Sequence, residues 1–253
     1  MNQNQDALIV NVVKTKSLNR IGWIIGKEFS SFRQPAVSFA AIIFLASIPS
    51  VIIGLSQGTT YEQATINMIH IFYILTLVAG LLITVNTMIA ERRQGTLELL
   101  YTLPITDFEL VTGKVALNFV MLVVLMLVLN LFYLMWLAET TWYQSLAAFI
   151  GFVIVAYYSV SLGVFASALV DSPLIALLAG FTIIIVIDVG GFYSGLFASP
   201  TREILSYFHA FNHFLPFARG VVPVKGLVFF CSLGILFHFL AIKVMEFRRF
   251  RGV

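Results

Sequence analysis

Few residues in this chain could do chemistry, and most of them sit inside apolar runs. Asp188 is an ionisable group in a stretch otherwise free of charge, which by default marks a route or a buried polar contact. It stands 15 residues after Pro173, about 22 Å along a helix, near the outer end of a ~30 Å hydrocarbon core. Beside Gly190 and Gly191 it could instead cap a helix break or face interfacial water. His209 and His213 are four apart and would share a helix face, as zinc ligands do. Only Glu203 lies near them in sequence, so no metal is expected there. His70 and His238 are single histidines in apolar helices, expected to bond a backbone group or a hydroxyl. Asn67, Asn86, Asn118 and Asn130 could line a polar route or join helices, at about 0.6–2 kcal/mol each, and packing is the expected use. Asn86, Asp188, Gly191 and Pro216 are the candidate pathway or gate positions. Nothing pairs a Ser with a His, or groups His with carboxylates, in the manner of an intramembrane hydrolase.

The composition says what must position these residues. Apolar types AVILMFWYC make up 60% of 253 residues and charged types only 11%. Soluble domains carry about 25% charge, and a chain this apolar cannot keep its exterior wet. Disorder, a disulfide scaffold and a soluble enzyme are excluded, and an all-α integral membrane protein is implied. The one cysteine, Cys231, cannot form an internal disulfide. A net charge of +3 is too small to suggest nucleic acid.

Charge-free runs place the spans, because a charge at mid-bilayer costs about 2.5 kcal/mol or more. Runs of 28, 28, 24, 31 and 17 residues are free of charge, and one of 30 is interrupted only by Asp188. With about 20 residues needed to cross, six transmembrane helices are expected near 36–55, 67–90, 115–137, 145–169, 173–194 and 224–244. On that topology twelve basic residues fall on the side of the termini and three, Arg202, Arg219 and Lys225, on the other. The positive-inside rule then makes both termini cytoplasmic. The polar segment 1–17 lacks an apolar h-region, so no cleaved signal peptide is expected.

Two further segments are apolar without being spans. Across 18–34, Leu18, Ile21, Ile25, Phe29 and Phe32 recur at helical spacing, and Trp23 suits an interface. That predicts an amphipathic interfacial helix ahead of a transmembrane domain over 35–245, with a basic tail at 246–253. On the outer side, 195–223 is too apolar for a free loop and too interrupted by Pro200 and Pro216 to cross twice. A helical hairpin dipping into the outer leaflet is predicted, with protein burying its turn.

The only sizeable cytoplasmic loop between spans covers 91–113. Thr96 can cap a short helix over 97–103, with Glu98 in its first turn, and Pro104 stops it. Leu97, Leu100 and Tyr101 form its apolar stripe. Such a helix could press on a soluble partner or lie on lipid, and helix rules leave both open. Thr106 or Asp107 can cap the helix that follows.

Glu91-Arg92-Arg93-Gln94-Gly95-Thr96-Leu97-Glu98-Leu99-Leu100, then Leu103-Pro104 and Gly113-Lys114, resembles the E-x-x-x-G-T-L-E-L-L-x-x-x-P…G-K signature of ABC-2 type transporter permeases. The six spans, the interfacial helix and the outer re-entrant segment are similar to that family as well. The stretch 213–222 resembles a compact subgroup associated with bacterial gliding motility. The resemblance implies that 95–103 is a coupling helix docking on a separate P-loop ATPase, present in two copies. It also implies a second permease half, the same chain or a relative, in a bacterial inner membrane. Glu91, Arg92, Gly95, Thr96, Leu97, Glu98, Leu99, Leu100 and Pro104 would be the coupling positions, and the second span would line the route. The chain has no G-x-x-x-x-G-K-[ST] loop, so it is expected to be no enzyme itself and to need no cofactor. A stand-alone secondary transporter or a membrane scaffold without an ATPase is the alternative. The first of these would call for inverted repeats and ionisable groups near mid-membrane.

Overall fold

The computed structural model describes residues 61–95, 106–136, 142–192, 202–203, 207 and 209–251. Seven helices lie in these segments: α1 Tyr61–Thr84, α2 Ile89–Arg93, α3 Asp107–Trp136, α4 Trp142–Leu169, α5 Pro173–Phe192, α6 Ala210–Ala218 and α7 Val224–Arg251. No strand occurs among the described residues. The expected interfacial helix, first span, loop helix at 97–103 and most of the first arm of the outer hairpin lie outside them.

Among the described residues, four stretches are long and apolar enough to cross a membrane: Ile69–Arg93, Asp107–Leu131, Trp142–Leu169 and Val224–Arg249. A shorter apolar helix covers Pro173–Asp188. The second, third, fourth and sixth expected spans are thus helices of sufficient length. Their ends differ from expectation for local reasons. α3 begins at Asp107 rather than 115 because Thr106 caps it. The Glu109 amide donates to Thr106 Oγ1 at 3.2 Å, and the Thr106 amide donates to the Glu109 carboxylate at 3.0 Å, a reciprocal capping box. α5 does not break at Gly190 and Gly191; it continues to Phe192. Asp188 therefore caps no break, contrary to one sequence expectation.

The second expected span does break, near its C-terminal end. α1 stops at Thr84, turns follow over 85–88, and α2 resumes at Ile89. Thr84 Oγ1 donates back to Gly80 O at 2.6 Å and Val85 and Thr87 are β-branched, a combination that bends helices. Backbone freed inside an apolar bundle must find other partners. The Met88 amide donates to Ser167 Oγ of α4 at 3.3 Å, and Thr87 O accepts from Lys114 Nζ of α3 at 2.8 Å. The elbow is held by its neighbours.

α4 sits at the centre, packed against α1, α3, α5, α6 and α7. Its middle is largely buried, with Val155, Tyr158, Ser159, Leu162 and Val164 all fully enclosed, while its ends expose Trp142, Leu146 and Leu169. α1 and α4 approach closely because small residues face each other. A Cβ on Gly80 would lie 2.7 Å from Ser159 Cβ, and one on Gly163 would overlap Thr84 Oγ1. Gly80 and Thr84, like Ser159 and Gly163, are one helical turn apart, giving a parallel small-residue seam. On the outside, Val120, Val124 and Val128 of α3, and Leu174, Leu178 and Ile185 of α5, form exposed apolar faces that suit lipid or further helices.

Asn130 and Ser145 join α3 to α4, the Ser145 hydroxyl donating to Asn130 Oδ1 at 2.7 Å and Asn130 Nδ2 donating to Ser145 O at 3.3 Å. Asn130→Leu is expected to cost about 1 kcal/mol, read as thermal unfolding in detergent. On a Ser145→Ala background the further loss should be smaller, because part of the link is already gone. Asn118 instead donates to Lys114 O within its own helix, at 2.8 Å.

Candidate transport site

The functional candidates gather at two places along α1, the elbow beyond its C-terminal end and the stretch 70–78 near its middle. The elbow carries Glu91, Arg92 and Arg93 on α2. Glu91 pairs with Lys114 at 2.9 Å, and the lysine side chain is 0% exposed against 13% for the glutamate. Lys114 thus holds both a carboxylate and a stranded carbonyl of the elbow, which is how a charge survives out of water. Arg92 bonds Asp171, in the α4–α5 turn, and the Ser167 carbonyl. Asp171 also accepts from Arg248 of α7 at 3.1 Å, and its backbone carbonyl accepts from Arg93 at 3.3 Å. Arg249 reaches Asp107 at 3.5 Å. One face of the bundle is therefore ringed with cations and their acidic partners, and all of them fall on the side expected to be cytoplasmic.

Gly95 follows α2 with φ +67°, the left-handed conformation that a glycine adopts without cost, and its amide bonds Arg92 O at 3.1 Å. It ends the elbow and turns the chain into 96–105, so the motif glycine has a backbone reason. Thr96, Leu97, Glu98, Leu99, Leu100 and Pro104 lie outside the described residues. Asn86 is exposed in the turn between α1 and α2, away from the other pathway candidates.

At the second place, Asp188 of α5 accepts from the Tyr73 hydroxyl of α1 at 2.8 Å. Its backbone carbonyl accepts from His209 Nδ1 at 2.6 Å, which fixes the proton on that nitrogen and ties α5 to the start of α6. The His70 ring lies against Phe211, tilted by 33° with centroids 3.8 Å apart. Between α1 and α5 lies a cavity of about 390 Å³ with walls of Ile74, Leu77, Val78, Phe181, Ile184 and Ile185. His70, Tyr73, Asp188, His209 and Phe211 form its polar and aromatic end. Gly191 is in the last turn of α5 and Pro216 within α6, so neither is in a loop.

α6 is buried through Phe214 and Phe217, each 0% exposed, which fill the space that Gly151 leaves on α4. Tyr73 lies against Phe214 at 4.8 Å, so the aromatic cluster supports the Asp188 contact from behind. His209 and His213 do not converge. His213 Nε2 donates to Tyr207 O at 2.7 Å, and its ring stacks on Phe229 at 4.3 Å. His238 lies between the hydroxyls of Thr112 (3.1 Å) and Tyr157 (3.4 Å), the kind of partner expected of it.

Sequence reasoning missed Tyr73 and Asp171, and it treated Lys114 only as a motif and loop cation. A tyrosine in an apolar run and a lone Asp between two spans give no signal until helices are paired. A family model described as ABC-2 family transporter protein matches residues 8–242. No match was found among curated proteins.

Proposed function

Because the chain belongs to the ABC-2 family of transporter proteins, whose members are membrane components that carry no ATPase domain and typically work with an ABC ATPase, we propose that it is the permease half of an ATP-driven exporter. Two copies of a separate ATPase would dock at the 91–104 loop, and a second permease half, this chain or a relative, would complete the pathway. The membrane is the bacterial inner membrane with six spans and both termini cytoplasmic, a reading that the cationic face at one end of the bundle supports. The 213–222 stretch supports placement in the compact gliding-motility-associated subgroup.

The observation that carries the reading is how the chain enters and leaves 96–105. Before the loop, α2 is fastened by Glu91 to Lys114 and by Arg92 to Asp171. After it, α3 starts rigidly at the Thr106–Glu109 box. The proposed loop helix, carried between two such ends, would pass a push to the α1 elbow, and α1 lines the cavity near its middle. ATP-driven closure of the ATPases would move the loop, tilt α1 against α5, and open the outer end at α6. Such coupling requires the loop to contact two ATPase conformations differently.

Glu98→Lys is expected to abolish or uncouple ATPase association while leaving the chain folded. Affinity purification from native membranes, with ATP hydrolysis assayed on the eluate, reads this directly. A stoichiometric P-loop ATPase with the native chain, reduced at least several-fold with Glu98→Lys, is the expected result. A chain that purifies without any ATPase would turn the reading toward secondary transport.

A further inference from the structure

The outer cavity has a chemistry that selects its occupant. Its walls are aliphatic and aromatic, and its one carboxyl belongs to Asp188. Among the described lining residues there is no Lys or Arg, so an anionic head group meets no cation there. The Tyr73 hydroxyl is already committed to Asp188 Oδ1, and the Asp188 backbone carbonyl to His209. Asp188 Oδ2 is buried without a well-formed hydrogen bond, and only the Phe211 backbone amide at the start of α6 is directed at the carboxylate. A carboxylate offers about four acceptor positions, so with Tyr73 and that amide counted, acceptor capacity is left over in an apolar setting. Rotation about the soft terminal torsion of Asp exchanges its two oxygens, so acceptor capacity can turn toward the cavity without moving the helix. The N-terminus of α6, which begins at Ala210 just after His209, favours negative charge in its vicinity.

We propose that the cavity between α1 and α5 binds a hydrophobic ammonium, an apolar body lying along Leu77, Phe181 and Ile184 with its N–H donors on Asp188. The volume of about 390 Å³ suits an alkyl or small ring system rather than a folded peptide. This rests on the permease reading only in making the occupant a transported substrate; the site itself stands on the cavity.

The test uses the full-length chain in phosphatidylcholine nanodiscs, without any ATPase, so that its outcome is independent of ATPase association. Two dodecyl photoprobes carry the same chain diazirine, one ending in a primary ammonium and the other in a carboxylate. Peptide mapping after irradiation is expected to show labelling of α1 and α5 around Leu77 and Phe181 about tenfold higher for the ammonium, the factor one charge-assisted hydrogen bond supplies. Unlabelled dodecylamine should compete. Asp188→Asn, which keeps an acceptor for Tyr73, should bring the two probes to parity, and Ile185→Trp, which fills the cavity, should remove both. Equal labelling by the two heads in the native chain, an ammonium preference that survives Asp188→Asn, or no labelling of these helices would overturn the proposal.

Discussion

Lys114→Met is expected to destabilise the chain by about 3–5 kcal/mol, the largest loss available from a single polar side chain here. The lysine is fully enclosed, and methionine would match its stem while deleting the ammonium. What remains would be a Glu91 carboxylate only 13% exposed and a Thr87 carbonyl with no donor at the break in the helix. Each acceptor loses its ammonium partner in a poorly hydrated setting, so the effect exceeds the worth of the pair itself. The comparison with Glu91→Gln and with the double variant decides the cause. Glutamine keeps an acceptor for the ammonium and should cost less. Glu91→Gln combined with Lys114→Met removes both charges and should recover a kcal/mol or more relative to Lys114→Met alone. Thermal unfolding of purified chain in one detergent gives all three values. A loss under about 1 kcal/mol for Lys114→Met would show that the elbow does not depend on this pair.

The second anchor of the elbow is of another kind. Asp171 is 75% exposed in its side chain, so its links to Arg92 and Arg248 are screened by water and each is worth about 1 kcal/mol or less. Arg92 also holds the Ser167 carbonyl, and Arg248 the Leu169 carbonyl at 2.7 Å, so these guanidiniums cap the end of α4 as well as pairing with a carboxylate. A dry pin at Lys114 and a wet clasp at Asp171 thus fasten α2 to α3 and to the α4–α5 turn with unequal strength. On the proposed coupling role, the screened side is the one that would yield first under a push from the loop.

The difference between what was legible and what was not follows from the range of the interactions. Charge-free runs located the described spans because desolvating a charge is costly wherever the helix later packs. Capping of α3 was legible, and only the choice between Thr106 and Asp107 needed coordinates. The elbow at 85–88 was not, since it depends on Ser167 and Lys114, which come from two other helices. Asp188 stood out in sequence, but its partner Tyr73 is 115 positions away on a helix whose apolar residues give no phase. The nearly uniform hydrophobicity of α1, α4 and α5 is the cause: without a polar face, periodicity cannot say which residues turn inward. Gly190 and Gly191 misled for the converse reason, because glycine weakens a helix in water more reliably than in a membrane, where backbone bonds must be kept.

Small residues carried the missing phase information, and Gly163 tests it with a sign as well as a size. Replacing a helical glycine by alanine favours the helix by about 0.8–1 kcal/mol on propensity alone. At Gly163 the new methyl would overlap Thr84 Oγ1 and lie 3.3 Å from Leu81 Cα, backbone that cannot step aside. Steric cost wins, and Gly163→Ala is expected to destabilise by about 1–2 kcal/mol despite its propensity. Gly163→Leu would have to separate α1 from α4 altogether, and is expected to cost about 3 kcal/mol or more, since α4 is the helix all others pack on. Thr84→Ala removes the overlapping oxygen. On that background Gly163→Ala should cost clearly less than on the native one, because the worst overlap is gone while Thr84 Cβ at 3.1 Å and Leu81 Cα at 3.3 Å remain. Measured as unfolding temperatures in a common detergent, this relief separates a helix seam from a glycine that is merely tolerated. If Gly163→Ala were stabilising on its own, α1 and α4 would not meet at Gly163, and the proposed movement of α1 against α5 would need another fulcrum.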